Sequence, residues 1–109
     1  MKLSELQRKF CKAVGELIVW AFENGYELTF GEAHRTQTQA DIYASQGIGI
    51  KDSKHCRRLA VDLNLFIDNK YQTTSEAYEL MGIKWEALGG IWGGRWKRAD
   101  GNHFEWEEG

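Results

Sequence analysis

Along the first quarter of the chain, Leu6, Phe10, Ala13, Val14, Leu17 and Ala21 recur at helical spacing and form one apolar stripe. That is the period of a helix with one buried face. Ser4 with Gln7 three residues on has the form of a capping box at its start, and Asn24-Gly25 supplies a stop. The period then changes. Residues 26–30 alternate and are rich in β-prone side chains, which predicts a strand ending near Gly31. Residues 36–46 predict a second helix, stopped at Gly47, and residues 47–54 predict a loop. The clearest strand is 60–67, where Val61, Leu63, Leu65 and Ile67 face one way and Asp62, Asn64 and Phe66 the other. Asp68-Asn69-Lys70 predicts a turn, with a short return strand at Tyr71-Gln72. Thr73 with Glu76 forms a second capping pattern, opening a helix that runs to Leu88 and buries Ala77, Leu80, Met81, Trp85 and Leu88. Gly89-Gly90 ends it; an irregular aromatic loop around Gly93-Gly94 and a last strand over 102–106 follow. Helices and strands do not alternate as βαβ units would. The expected class is therefore α+β, a small antiparallel sheet with flanking helices in one domain spanning 1–109.

Composition changes this picture little. An apolar fraction of 42% in 109 residues suffices for one core, and 28% charged residues without low-complexity sequence argue against disorder. The net charge of −2, with acids and bases interspersed, gives no clustered basic face and no expectation of a nucleic-acid partner. The run Arg95, Lys97, Arg98 reads as a solvated loop. Cys11 falls on the apolar side of the first helix, where a buried free thiol is expected; a Cys11–Cys56 disulfide stays open from sequence, though nothing points to an oxidising compartment. The first ten residues lack a continuous apolar stretch and a small-residue cleavage site. No segment reaches membrane-spanning length, so stable membrane insertion is not expected.

The three histidines are His34, His55 and His103. His55 lies in a loop seven residues before Asp62, which sits on the polar face of a predicted strand. A loop folding back on its strand would bring the two together. His103 offers a second imidazole, and two histidines with one carboxylate leave a fourth position open on a tetrahedral zinc. Asp100, three residues before His103 across a turn at Gly101, is placed to act as a base on a nearby water. Solvated polar side chains are the competing reading of all four residues, and Asp-Gly is a common turn pair.

The segment Ser53-Lys54-His55-Cys56-Arg57-Arg58-Leu59-Ala60-Val61-Asp62 resembles the S-x-H-x-x-G-x-A-x-D signature of the M15 family of zinc D,D-carboxypeptidases and L-alanyl-D-glutamate endopeptidases. Asp100 to His103 resembles that family's second motif, an acidic residue three positions before the last zinc histidine. Residues 88–96, LGGIWGGRW, resemble the aromatic glycine loop of phage endolysins in the family. His34-Arg35-Thr36 with Gln39 resembles its upstream arginine segment. The resemblance implies Zn²⁺ on His55, Asp62 and His103, Asp100 as catalytic base, and Arg35 facing substrate. Gln39 and Ser53 are further candidates for substrate contact, with capping and loop roles as their alternatives. Arg35 has a surface ion pair with Asp41 or Glu32 as its alternative. Two departures stand out. Arg58 replaces the signature's glycine, which implies that no glycine-only backbone is needed there, and the base is aspartate where many members have glutamate.

The reaction so implied is hydrolysis of the L-alanyl-D-glutamate bond in peptidoglycan stem peptides by an endolysin acting as a monomer. D,D-carboxypeptidase action on D-alanyl-D-alanine termini is the rival within the same chemistry. A non-catalytic, zinc-stabilised wall-binding module is the rival outside it. The expected location is the host cytoplasm, with access to the wall once another protein has permeabilised the membrane.

Overall fold

The structure is a computed structural model that describes residues 1–48 and 53–108. Helix α1 (Leu3–Glu23) carries the apolar stripe inward, burying Leu6, Phe10, Ala13, Leu17 and Ala21. Its start differs from expectation: Lys2 is the cap residue and no side chain caps the helix. Gln7 instead reaches across the fold, its amide donating to the Arg57 carbonyl at 2.8 Å. Cys11 also departs from expectation. It lies next to the stripe rather than on it and is exposed; Cys56 is partly buried, and both thiols are free.

Strand β1 (Glu27–Phe30) and helix α2 (Gln37–Ser45) follow, the helix capped by Thr36, whose hydroxyl accepts from Gln39 N at 3.1 Å. Part of the expected loop, residues 49–52, lies outside the described residues. A 3₁₀ turn (Lys54–Arg57) then leads into β2 (Ala60–Ile67). The return strand β3 (Lys70–Tyr71) begins one residue earlier than expected, after a turn with Asp68 and Asn69 at positive φ. The second capping hydroxyl belongs to Thr74, not Thr73; a 3₁₀ turn (Ser75–Tyr78) precedes α3 (Glu79–Ala87). Leu80 points to solvent, and Tyr78 takes the buried position in its place. Part of the expected aromatic loop is regular: β4 (Ile91–Trp92) runs into a 3₁₀ turn (Gly93–Arg95) before β5 (His103–Glu105).

Among the described residues the sheet has five strands, ordered β1-β2-β5-β4, with β3 paired to β2 as well. All pairings are antiparallel, so the class is α+β. Strand alternation divides the two faces. Val61, Leu63, Leu65 and Phe104 enter the core with Phe10, Leu17, Met81 and Trp85 from α1 and α3. Asp62 and His103, directly paired across β2 and β5, project from the opposite face. Burying one face therefore fixes which residues are offered on the other.

Arg58 closes the turn that carries His55 back over β2. Its backbone is left-handed, φ 56° and ψ 36°, which lets Leu59 N reach the Lys54 carbonyl at 3.0 Å. The expectation that no glycine-only backbone is needed here holds: the left-handed region is open to a residue with a Cβ, at a cost. Left-handed backbone costs an L-residue roughly 1–2 kcal/mol, partly offset by the extra unfolded-state entropy of glycine. Arg58→Gly should therefore raise stability by roughly 0.5–1 kcal/mol in chemical denaturation. Destabilisation would mean that the exposed arginine makes a compensating interaction.

Candidate metal centre

Each of the three central side chains is held by its backbone. Asp62 sits in mid-sheet, its N–H donating to the Glu32 carbonyl and its own carbonyl accepting from Gly31 N, both at 2.8 Å. His103 is its cross-strand partner. His55 arrives on the 3₁₀ turn that Ser53 caps, the serine hydroxyl accepting from His55 N at 3.2 Å.

Hydrogen bonds then orient the rings. His55 Nδ1 lies 3.0 Å from the Ala33 carbonyl, which can only accept, so Nδ1 carries a proton and Nε2 is the nitrogen turned toward the cluster. That Nε2 is 3.4 Å from Asp62 Oδ1. His103 is turned the other way: Nε2 faces Glu105 Oε1 at 2.8 Å, and Nδ1 lies 3.3 Å from the same Asp62 oxygen. The two rings stand at 80° with centroids 5.0 Å apart, and the Trp96 ring lies over His103 at 5.0 Å.

One atom decides how this cluster is read. Asp62 Oδ1 is buried and has no hydrogen-bond partner. The two imidazole nitrogens are near enough to act on it electrostatically but do not make well-formed hydrogen bonds to it. Burial pushes the Asp62 pKa up, and the two imidazoles overcome this and hold it at about 2. Burial likewise opposes charge on His103, but Asp62 and Glu105 hold its pKa up to about 9. An orphaned buried acceptor is costly unless a cation or proton meets it. The ligand atoms of His55, Asp62 and His103 all lie within 4.8 Å of one another. A tetrahedral zinc with bonds of ~2.0–2.1 Å separates its ligands by ~3.3–3.4 Å, close to the 3.4 and 3.3 Å found here. The donor set and the two carboxylate–imidazole separations fit a zinc ion.

A cleft of about 490 Å³ opens over the cluster, lined also by Arg35, Ser53, Trp96, Arg98 and Asp100. Asp100 Oδ2 lies 4.0 Å from His103 Nδ1, with about half of the side chain exposed. Partial burial and the nearby Asp62 charge raise its pKa, against the pull of His103 and His55. Arg35 faces the cleft with its charge already engaged. Its Nε donates to Glu32 Oε1 at 2.7 Å, Nη2 bonds the same oxygen, and the guanidinium lies over the Tyr43 ring. Of the two partners considered from sequence, Glu32 is the one used; Asp41 accepts from Gln37 instead. Ser53 is buried and lines the cleft as well as capping the turn. Gln39 is not among the described cleft residues; its observed role is the backbone bond to Thr36. Glu32 also brings Oε1 to 4.0 Å from His55 Nε2. The motif did not single out Glu32 or Glu105, although Glu105 lies two residues beyond His103 on the same strand face, where period-two reasoning finds it.

Residues 47–106 match the model of an M15 peptidase family described as D-alanyl-D-alanine carboxypeptidase. The chain belongs to this family. The match spans Ser53, His55, Asp62, Asp100 and His103; Arg35 and Gln39 precede it. The M15 chain also shares its fold with the crystal structure of the Serratia marcescens L-Ala D-Glu endopeptidase ChiX, at TM-score 0.73 and 19% identity over 95% of this chain and 85% of that one. No curated protein matches it. Among the described residues of this M15 peptidase, no helix is long and apolar enough to cross a membrane.

Proposed function

We propose that this M15 peptidase is a zinc-dependent hydrolase of peptidoglycan stem peptides that cuts the L-alanyl-D-glutamate bond. The observation that carries the reading is the unpartnered Asp62 Oδ1 between two oriented imidazole nitrogens. His55, Asp62 and His103 would hold the zinc, which when bound supplies Lewis acidity toward a water and the scissile carbonyl. Three protein ligands would leave a tetrahedral ion room for a water, unlike a structural site closed by four. Asp100 stands at the open side, takes a proton from the attacking water and returns it to the departing amine. The Arg35 N–H groups not engaged by Glu32 are donors for a substrate oxygen. Trp96 walls the cleft and shields the His103 face from water. Action on the wall after release from a host cytoplasm, in the manner of an endolysin, belongs to the same proposal.

The family description favours a second reading, cleavage of terminal D-alanyl-D-alanine. A carboxypeptidase needs a cation free to grip the terminal carboxylate, and Arg35 is bound to Glu32. That pairing, with the fold shared with an L-Ala D-Glu endopeptidase, supports cleavage within the peptide. Mass spectrometry of digested peptidoglycan separates the two. New D-glutamate amino termini and L-alanine carboxyl termini are expected, with little free D-alanine. Abundant free D-alanine without new glutamate amines would replace the first reading by the second.

A further inference from the structure

The Asp100 carboxylate has no hydrogen-bond partner among the described residues, so its place in the cleft depends on how its backbone is held. Four contacts fix that backbone. Asp100 N donates to the Gly93 carbonyl at 3.0 Å, and His103 N donates to the Asp100 carbonyl at 3.2 Å. The buried Trp92 indole N–H donates to the Gly101 carbonyl at 2.7 Å. On the far side, Gly101 N donates to the Ser75 hydroxyl at 3.0 Å.

The last contact comes from a different part of the chain and is unusually close. A Cβ on Gly101 would lie 2.6 Å from Ser75 Cα and 2.9 Å from its Oγ, so only glycine lets the turn seat here. Ser75 opens the 3₁₀ turn Ser75–Tyr78, and the Tyr78 hydroxyl accepts from Leu65 N at 2.9 Å. Leu65 and Asp62 are on the same strand. A short path of hydrogen bonds and covalent links therefore refers the position of Asp100 to the strand that carries Asp62. Ser75 touches neither the cleft nor the cluster; it lines a separate polar hollow behind Asp100.

We infer that Ser75 is a positioning residue that acts through Gly101 to hold the Asp100 carboxylate over the open side of the metal centre. The inference rests on the proposed role of Asp100 as base. A base displaced by a fraction of an ångström loses rate without losing substrate affinity or zinc.

The test is a double-mutant cycle on the zinc-loaded enzyme, reading kcat, KM, bound zinc and Tm with a soluble stem peptide. Ser75→Ala is expected to lower kcat roughly tenfold with KM and zinc content unchanged. Ser75→Thr, which keeps the hydroxyl, should stay near the parent rate. Gly101→Ala, which must push the turn off Ser75, should reproduce the kcat loss and guards against a folding defect peculiar to Ser75→Ala. In an Asp100→Asn background, Ser75→Ala should cost nothing further, because its effect runs through the missing carboxylate. An unchanged kcat in Ser75→Ala, or an equal loss in the Asp100→Asn background, overturns the inference. Full activity of Asp100→Asn alone removes the base assignment and the inference with it, and that failure appears in a separate arm of the cycle.

Discussion

Asp62→Ala is expected to lower zinc affinity by at least ~10²-fold and to abolish peptidase activity, since even partners beyond the direct ligands commonly cost 10–100-fold. The parent protein should bind about one zinc per chain, and removal of the metal by a chelator should abolish activity that added zinc restores. Binding should also release protons in a defined direction. In the metal-free protein Asp62 and Glu105 hold the His103 pKa up at about 9, so at pH 7 this imidazole is charged, whereas a zinc ligand must be neutral. Calorimetry in buffers of different ionisation enthalpy should show about one proton released per zinc at pH 7, falling toward none as pH rises past about 9. Apparent affinity should rise with pH over the same span. The metal-free fold should show the complementary trend. The stabilisation from charged His103 is complete below about pH 6.5 and disappears as pH rises through about 9. Metal-free protein, verified by elemental analysis, that digests peptidoglycan at the parent rate would end the zinc assignment.

The parts of the fold legible in the sequence were those governed by one dominant periodicity. Residues 60–67 appear as a strand with the expected bounds and faces, because alternation leaves no other way to bury Val61, Leu63 and Leu65. That strand also made the centre readable: with Asp62 forced to the face opposite the core, only a few residues could meet it. His103 meets it through strand register, a long-range pairing that the family motif implies and local pattern does not contain.

What was misread has local causes. Cys11 follows Phe10 by one residue, about 100° around a helix, enough to leave a narrow apolar stripe. Thr73 and Thr74 are chemically equivalent caps, and only the chain path selects the second. The Ser75–Gly101 contact joins segments with no shared pattern. It follows from how the finished fold packs, and sequence periodicity carries no trace of it, whereas the Glu32–Arg35 pair lies within one segment and is among the expected partners.

Asp100→Ala should reduce kcat by at least ~10², the usual scale for a lost general base, while leaving zinc and fold in place. The geometry separates it from Asp62. Asp62 Oδ1 is buried at 3.3–3.4 Å from both imidazoles, whereas Asp100 is half exposed, 4.0 Å from His103 alone, and outside the group that can hold the ion. A half-exposed carboxylate tolerates truncation without leaving an uncompensated charge, so Tm should change little. Its raised pKa, set mainly by partial burial, makes it a better proton acceptor than an ordinary surface aspartate. Asp100→Glu should recover part of the rate, since many family members use glutamate there, though the longer arm must fit a turn pinned by Gly101. Equal loss of zinc from Asp100→Ala and Asp62→Ala would make Asp100 a ligand and require a different base. Retained zinc with retained activity in Asp100→Ala would remove Asp100 from the chemistry altogether, leaving Glu105, 2.8 Å from His103 Nε2, and Glu32, 4.0 Å from His55 Nε2, as the carboxylates to test.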